Sequence, residues 1–515
     1  MAKPLKNRAS KHRYVSPNQL QLVGFETPFA KALNPNNRWV EWAHKIPWDS
    51  LVGVYNHRLN NSFKGADGIN PRVAIGAIFI KHLCDLSDRE TISQIQENVY
   101  MQYFIGYSSF SDEPAFDPSL FVDLRKRLGV EQVNAINERI LGLKNSRDLN
   151  KDEDNNEHGP VVDEAISNIE QEDKREAAVE DVAMQDFEDN EGTLIVDATA
   201  CPQDIGYPTD LNLLNDAREK SEELIDILYD GQNRDKPRTY RRIARKEYLE
   251  TAQKKIKTKK QIRAAIRKQL GFLKRNIKNI LLLLKDHERI PLRPKHYKYL
   301  LVIQTLYDQQ KKMFDEKTHR VDHRLVSIHQ PHVRPIVRGK TNAYVEFGAK
   351  IQVSLVNGFA FLDEFSWDAF NEGTRLMNTI DRYKSRFGHY PQNVLADKIY
   401  CNRENRAGLK ELGIKLRAKP LGRPSLAVAV HLRPGERNPI EGKFGQAKTA
   451  YGLNRIKARL SQTSESWIAS IILVLNLISL IGRAPASLIE RLTLTAREWI
   501  LNYIARKGAL QTLNY

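Results

Sequence analysis

The feature that most constrains the fold of this chain is a pair of short apolar runs that each carry an aspartate. Asp197 lies within the run Thr193–Thr199, and Asp397 follows the run Asn393–Ala396. Both runs are rich in aliphatic residues and are bounded by turn-forming residues. Each therefore predicts a buried strand that carries a carboxylate at or near its end. A single strand-borne aspartate is usually a surface or capping residue, and that alternative stays open for each.

A third acidic residue, Glu441, lies at a predicted helix start. Asn438 is a good N-cap, Pro439 suits the first helical position, and Glu441 then occupies the third. Lys448 is two turns further on, so it shares a helix face with Glu441. The simpler interpretation is a capping box, in which Glu441 only binds the Asn438 amide. The functional interpretation is that three acidic groups on rigid elements hold two divalent cations for phosphoryl transfer.

Several further strings occur in a fixed order along the chain. They are Val196–Thr199, Tyr207–Leu211, Arg334–Lys340, Val345–Lys350, Leu395–Lys398 and Arg437–Gly445. From about Pro71 to Asn476, apart from an acidic linker, this series resembles bacterial insertion-sequence transposases with a DDE triad. The resemblance implies an α/β fold: a ribonuclease H-like mixed sheet flanked by helices, an all-α N-terminal domain, and a helical insertion after the first catalytic strand.

The resemblance also implies roles for particular residues. Asp197, Asp397 and Glu441 would be the catalytic residues and the ligands of two Mg²⁺ or Mn²⁺ ions, which prefer oxygen ligands. Arg437, Glu441 and Lys448 match a Tyr-Arg-Glu-Lys signature of related transposases, but Pro434 stands at the tyrosine position. Arg437 and Lys448 would bind phosphates, and Arg437 could instead pair with Glu436 or Asp397. The remaining basic residues of these strings that we predict to contact DNA are Lys443, Arg338 and Lys340.

The charge of the chain favours a polyanionic partner. Its 80 basic and 63 acidic residues give a formal net charge of +17. A dense basic run between Arg238 and Lys260 contains Arg241, Arg242 and Arg245. Such a run is often only a solvated face, but its density and its interleaved tyrosines favour phosphate contacts.

The composition and periodicity of the chain predict its domains. They are an N-terminal tail (1–45), a helical N-terminal DNA-binding domain (46–144), an acidic flexible linker (145–192), a ribonuclease H-like catalytic domain (193–209 and 331–482), a basic helical insertion (210–330) and a C-terminal helical segment (483–515). The N-terminal helices fit a helix-turn-helix or a plain bundle. The linker is too polar to fold alone, and is either a tether or a DNA-mimicking arm.

Two apolar helices are expected to pack inside the protein. In the insertion, the apolar residues from Ile266 to Leu284 form a heptad-like seam whose expected partner is Tyr299–Phe314. The run Trp467–Ile481 is interpreted as too short to span a bilayer and as a core helix. The three cysteines form no disulfide framework, which fits a reducing cytosol. Four histidines between His319 and His332 lack the spacing of a zinc site.

The sequence therefore predicts a bacterial, cytoplasmic DNA transposase that cuts phosphodiesters at element ends and joins them to target DNA. Its partners would be double-stranded DNA, both terminal inverted repeats and target, and a second copy of the chain in a homodimer on DNA. A structure-specific nuclease on the same fold is one alternative. A DNA-binding protein without catalytic activity is the other.

Overall fold

A computed structural model describes residues 32–57, 68–140, 190–231, 235–287, 289–337, 345–418 and 435–482. Some predictions lie outside these residues. They concern Arg338, Lys340, Pro434, most of the acidic linker and the C-terminal segment.

The first part of the chain is helical, as predicted. Its helices are α1 (Arg38–Lys45), α2 (Trp48–His57), α3 (Pro71–Leu83), α4 (Asp88–Glu97), α5 (Val99–Ile105), α6 (Phe121–Arg127) and α7 (Val130–Ile140). Asn70 caps α3 by accepting a hydrogen bond from Arg72 N, and Ser87 caps α4 by accepting one from Glu90 N. Helix α1 lies in the segment that the sequence assigned to a tail. It is ordered by burial of Trp39, Val40 and Ala43.

The insertion is a helical unit with its own core. It contains α8 (Asp210–Leu228), α9 (Arg241–Ala252), α10 (Lys259–Leu284) and α11 (Pro294–Glu316). The heptad-like seam of α10 buries Leu270, Leu273 and Ile280. Helix α11 packs on α10 as predicted, but α8 and α9 pack on it too. The apolar core around the seam is formed with both α8 and α11, because a 26-residue helix offers more apolar surface than one neighbour covers.

One six-stranded mixed sheet lies at the centre of the catalytic part. Its strands are β1 (Thr193–Pro202), β2 (Arg334–Val337), β3 (Val345–Val356), β4 (Phe359–Ser366), β5 (Asn393–Leu395) and β6 (Lys415–Arg417). The order is β2-β3-β1-β5-β6, with β4 also paired to β3. Strands β2, β3, β4 and β1 are joined by antiparallel pairing, whereas β5 and β6 run parallel to β1. The α/β prediction is confirmed.

Three details of the sheet concern β2, β3 and the turn after β3. Strand β2 pairs with the first residues of β3, from Val345 to Gly348. Strand β3 is continuous from Val345 to Val356. Asn357 and Gly358, which join β3 to β4, both have positive φ, as a tight hairpin turn requires.

The two aspartates occupy different positions relative to their strands. Asp197 lies inside β1, opposite Val353 of β3, and not at a strand end. The strand runs on past it because β3 pairs with β1 as far as Gly348. Asp397 follows the end of β5 and caps a short 3₁₀ turn, Lys398–Tyr400. The second position agrees with the sequence prediction, and the first corrects it.

The remaining helices cover the sheet. They are α12 (Leu376–Phe387), α13 (Arg403–Glu411), α14 (Asn438–Ala450) and α15 (Ser461–Gly482). Helix α15 is long and apolar enough to cross a membrane, so the prediction that it is too short is wrong. The prediction of a core helix is confirmed, because 72% of its most apolar window is buried inside the protein. It packs on β4 and on α3, α6 and α7.

Asn476 offers a test of how α15 is attached to the sheet. Its side chain accepts a hydrogen bond from Ala360 N and donates one to Ala360 O, each 2.7 Å long. Asn476→Ala leaves the backbone N–H and C=O of the buried Ala360 without this partner, so we expect it to lower the free energy of unfolding by about 1–3 kcal/mol. Thermal or denaturant unfolding measures the change.

The matched control is Ser470→Ala on the same helix. Ser470 is equally buried, but its hydroxyl bonds only the Ser466 carbonyl one turn back. A loss of stability as large in this control as in Asn476→Ala would contradict the specific role of Asn476.

Candidate active site

The three predicted carboxylates line a single cleft. Asp197, Asp397 and Glu441 border a space of about 720 Å³. They come from β1, from the turn after β5, and from α14. Strands β1 and β5 are parallel neighbours, which brings the two aspartates to the same region of the sheet. Helix α14 packs against β1 and β3 and adds the glutamate.

Asp197 is the most enclosed of the three. Its side chain is 19% exposed, and its Oδ1 accepts a 2.8 Å hydrogen bond from Ala198 N. Burial raises the pKa of this carboxyl, while the Ala198 amide and the Arg437 guanidinium oppose that rise. The negative charges of Glu372 and Asp397 add to it. The charges of three side chains, Arg437, Glu372 and Asp397, therefore act on the Asp197 carboxyl.

Arg437 connects the two aspartates. Its Nη2 donates to Asp197 Oδ2 at 3.1 Å, and its Nη1 lies 3.4 Å from Asp397 Oδ1. The predicted pairing with Asp397 is thus present, together with one to Asp197. Glu436 pairs instead with Arg417, at 3.8 Å. The planar fork of an arginine suits two carboxylates at once.

The structure contradicts the capping box at Glu441. Helix α14 begins at Asn438, its N-cap is Arg437, and no side chain caps this end. The helix starts earlier than predicted because Arg437 itself has right-handed helical backbone angles. Glu441 is exposed at the cleft, and its position is not explained by helix capping.

Lys448 lines the cleft together with Gly445, on the same face of α14 as Glu441. The predicted sharing of a face is confirmed. Lys443 does not line the cleft, because it donates a hydrogen bond to Ser479 Oγ on α15. Arg338 and Lys340 lie outside the described residues, although Ile336 and Val337 just before them line the cleft.

The carboxylate oxygens of the cleft suit a hard divalent cation, but an arginine lies between two of the carboxylates. Carboxylate oxygens are the ligands that Mg²⁺ and Mn²⁺ prefer. Within the part of the chain that the structure describes, no three His, Cys, Asp or Glu side chains stand close enough together to hold a metal ion. Arg437 lies between two of these carboxylates, since its guanidinium contacts both Asp197 and Asp397.

Sequence reasoning missed two residues of this cleft, Lys350 and Glu372. Lys350 ends the Val345–Lys350 string, so its motif was noticed but its role was not. Glu372 begins a 3₁₀ turn, Glu372–Arg375, just before α12. Nothing in the local sequence separates it from an ordinary acidic residue at a helix start.

The basic residues of the insertion differ in their surroundings. Arg241 is held by Asp226, with Nη2 at 3.0 Å from Oδ1 and Nη1 at 3.1 Å from Oδ2. Arg242 and Arg245 are exposed on α9. The three arginines predicted to contact phosphates therefore differ, because Arg241 already pairs with an aspartate.

The histidines of the 319–332 segment and the cysteines have different surroundings. His319 Nδ1 lies 3.9 Å from Asp210 Oδ2, His323 Nδ1 lies 3.7 Å from Asp368 Oδ1, and His329 Nδ1 lies 2.9 Å from the Tyr299 hydroxyl. Each of these three histidines thus has a partner of its own. None of the three cysteines is in a disulfide, and both Cys201 and Cys401 are buried.

Two families of transposase domains match parts of the chain. A family described as "Transposase DDE domain" matches residues 394–478, and one described as "Transposase domain (DUF772)" matches residues 28–127. Both matches support an insertion-sequence transposase of the DDE class. The first match contains Asp397, Arg437, Glu441 and Lys448, and the second contains α1 to α6.

A curated relative of the chain is described as "Uncharacterized protein ORF8 in nfe locus" of Rhizobium meliloti. It is 33% identical over 100 residues, which are 19% of this chain and 46% of the relative. The chain thus spans less than half the length of the relative that it matches. No solved structure matches the chain.

Arg437 and Lys448 are expected to respond differently to replacement by alanine. Arg437→Ala leaves Asp197 and Asp397 without the cation they share, so we expect a loss of about 1–3 kcal/mol in stability and a loss of cleavage. Lys448→Ala is expected to lower the cleavage rate while the fold is unchanged. Melting temperature and single-turnover cleavage of both variants measure this. If Lys448→Ala cleaves at the wild-type rate, the functional meaning of the shared helix face is lost.

Proposed function

We propose that the protein is a transposase, which hydrolyses phosphodiester bonds at the ends of its element and joins the freed hydroxyl to target DNA. The observation that carries this proposal is the single cleft lined by Asp197, Asp397 and Glu441, with Arg437 and Lys448 beside them. Carboxylates from three separate elements meet there although they are far apart in sequence. Basic groups at the same cleft provide partners for a phosphodiester backbone.

The topology of the sheet supports a ribonuclease H-like catalytic domain. Antiparallel strands β3 and β4 lie on one side of β1, and parallel strands β5 and β6 lie on the other. This is a mixed sheet flanked by helices, as the resemblance implies, with the helical insertion leaving directly after β1. The domain boundaries predicted from sequence, including the separate insertion, belong to the same proposal.

The proposed cofactor is a pair of Mg²⁺ or Mn²⁺ ions, with Asp197, Asp397 and Glu441 as the residues that would hold them. When bound, such ions polarise the phosphate and stabilise the attacking and leaving oxygens. Their all-oxygen donor set suits these ions and not zinc. Arg437 would have to give up its contacts with the aspartates for the carboxylates to converge.

The Arg437 guanidinium is suited to exchange its carboxylate partners for a phosphate. Its Nε is buried and has no hydrogen-bond partner among the described residues, so the two aspartates do not satisfy the whole guanidinium. A phosphate accepts two parallel hydrogen bonds from an arginine fork. In the proposed reaction Arg437 orients a phosphate of the DNA, and Lys448 adds a mobile positive charge from α14.

The carboxylates provide the first test. We expect each of three variants, Asp197→Asn, Asp397→Asn and Glu441→Gln, to abolish cleavage of DNA ends. DNA binding should stay largely intact, because the arginine and lysine side chains that bind phosphates remain. The control is Asp381→Asn, an exposed residue of α12 outside the cleft. Gel-based cleavage and binding assays measure both properties. Full cleavage by Glu441→Gln would remove this residue from the active site.

The products of the wild-type reaction decide between related functions. Joined products with defined element ends support a transposase reaction. Cleavage without joining would identify a structure-specific nuclease, and binding without any metal-dependent cleavage would identify a non-catalytic DNA-binding protein. A homodimer on DNA stays a prediction, as does DNA binding by the N-terminal helices.

We infer that α9 of the insertion contacts DNA phosphates through Arg242 and Arg245. Replacing both by Gln should reduce the log-log dependence of binding on salt by up to about two units, at about 0.9 per phosphate contact. Arg241→Gln is the comparison, and should change the slope less because Asp226 already engages its guanidinium. An unchanged slope in the double variant would make this run a solvated face.

A further inference from the structure

A fourth carboxylate, Glu372, lines the same cleft as the three predicted ones. Its side chain is 19% exposed, and its Oε1 lies 2.8 Å from Nζ of Lys350. Lys350 lies on β3 opposite Ala200 of β1, on the strand next to the one that carries Asp197. Its own side chain is 15% exposed. Glu372 and Lys350 thus form an enclosed ion pair within the cleft.

The position of Glu372 is fixed relative to Asp397. Asn405 is almost fully buried, and its Nδ2 donates to Gly373 O at 2.7 Å and to Tyr400 O at 2.9 Å. One side chain therefore holds the turn that begins at Glu372 and the turn that Asp397 caps. The turns approach so closely that a Cβ on Gly373 would lie 2.6 Å from the Ile399 carbonyl oxygen. Such a rigid mounting is typical of functional groups whose position matters.

Tyr400 provides a second, independent observation. It is fully buried, and its hydroxyl has no hydrogen-bond partner among the described residues. Burial raises the pKa of this hydroxyl, and the negative charge of Glu372 is the next largest cause, ahead of Asp197. Buried hydroxyls are normally hydrogen-bonded. The negative charges of Glu372 and Asp197 therefore act on a buried donor that has no partner among the described residues.

We propose that Glu372 is a fourth carboxylate of the cation-binding centre and that Lys350 is its counter-ion when no divalent cation is bound. This inference rests on the proposed function. A cation and the Lys350 ammonium compete for the same carboxylate oxygens.

Lys350 can release Glu372 without losing all its partners. Its Nζ also donates to Phe370 O at 2.8 Å and lies 4.8 Å from the centre of the Phe370 ring. The competing interpretation is an ion pair that only fastens the Glu372 turn to β3.

The test is Mn²⁺ binding to the full chain without DNA, measured from the electron paramagnetic resonance signal of free Mn²⁺. Glu372→Gln should weaken binding at least about tenfold, a typical cost of disturbing a metal site. Lys350→Met should strengthen binding in the wild-type background and have no effect when residue 372 is Gln. If Lys350→Met has the same effect in both backgrounds, its charge acts on the whole cleft and the pairing with Glu372 is overturned.

Two further variants separate failure of this inference from failure of the proposed function. Glu364→Gln is the matched control, because Glu364 lies on β4 of the same sheet, is similarly enclosed and pairs with Arg382 of α12, but lies outside the cleft. It should bind Mn²⁺ like the wild type. If Asp197→Asn loses Mn²⁺ binding and Glu372→Gln keeps it, the inference is overturned and the proposed centre stands. If Asp197→Asn also binds like the wild type, the proposed centre fails as well.

Melting temperatures distinguish a cation-binding carboxylate from an ion pair that only fastens the Glu372 turn to β3. A lower melting temperature for both Glu372→Gln and Lys350→Met, with unchanged Mn²⁺ affinity, would show an ion pair that only stabilises the fold and would overturn the inference. Weaker Mn²⁺ binding by Glu372→Gln at an unchanged melting temperature supports it.

Discussion

The antiparallel pairing of β1 with β3 is the constraint on which the cleft depends. It runs from Ile195 to Pro202 and carries Asp197 on one strand and Lys350 on the other. At its far end the strands approach closely, since a Cβ on Gly348 would lie 2.0 Å from the Cys201 carbonyl oxygen. A glycine is required there because any side chain would collide with backbone. This close pairing extends β1 beyond the aspartate, so Asp197 projects from the middle of a rigid strand and not from a mobile strand end.

The charges of the cleft are balanced within the protein. Arg437 joins Asp197 to Asp397, and Lys350 joins Glu372 to β3, so three of the four carboxylates contact a cation of the chain itself. Carboxylates this close repel one another, and the burial of Asp197 adds the cost of desolvation. Internal cations offset both effects and let the cleft fold. One of these cations, Arg437, is also the residue proposed to orient a phosphate of the DNA.

Local sequence signals were sufficient to predict individual helices and strands but not the contacts between them. The apolar run of α15 is a short-range feature, and the prediction that it forms a core helix is confirmed. The bringing together of Asp197, Asp397 and Glu441 was expected only through a family resemblance, because no local pattern encodes contacts between such distant residues. Glu372 was missed for the same reason, since its role depends on Lys350 and Tyr400 from other elements. The start of α14 was misplaced because Asn438 looks like a better cap than Arg437, yet Arg437 is positioned by the two aspartates.

The two regions proposed to bind DNA are attached to the catalytic sheet in different ways. The N-terminal helices share one hydrophobic core with β3, β4, α14 and α15. Polar contacts reinforce this junction, since Asn134 donates to Leu362 O at 2.8 Å and Ser466 donates to Leu128 O. The insertion instead has a separate core formed by α8, α10 and α11. A ligand held by the N-terminal helices would therefore have a fixed position relative to the cleft, because moving it would require breaking a common core. The position of a ligand held by the insertion would instead depend on the chain connections at either end of that unit. At these connections Arg324 Nη2 lies 2.7 Å from Asp210 Oδ1, and this ion pair ties the start of α8 to the returning chain.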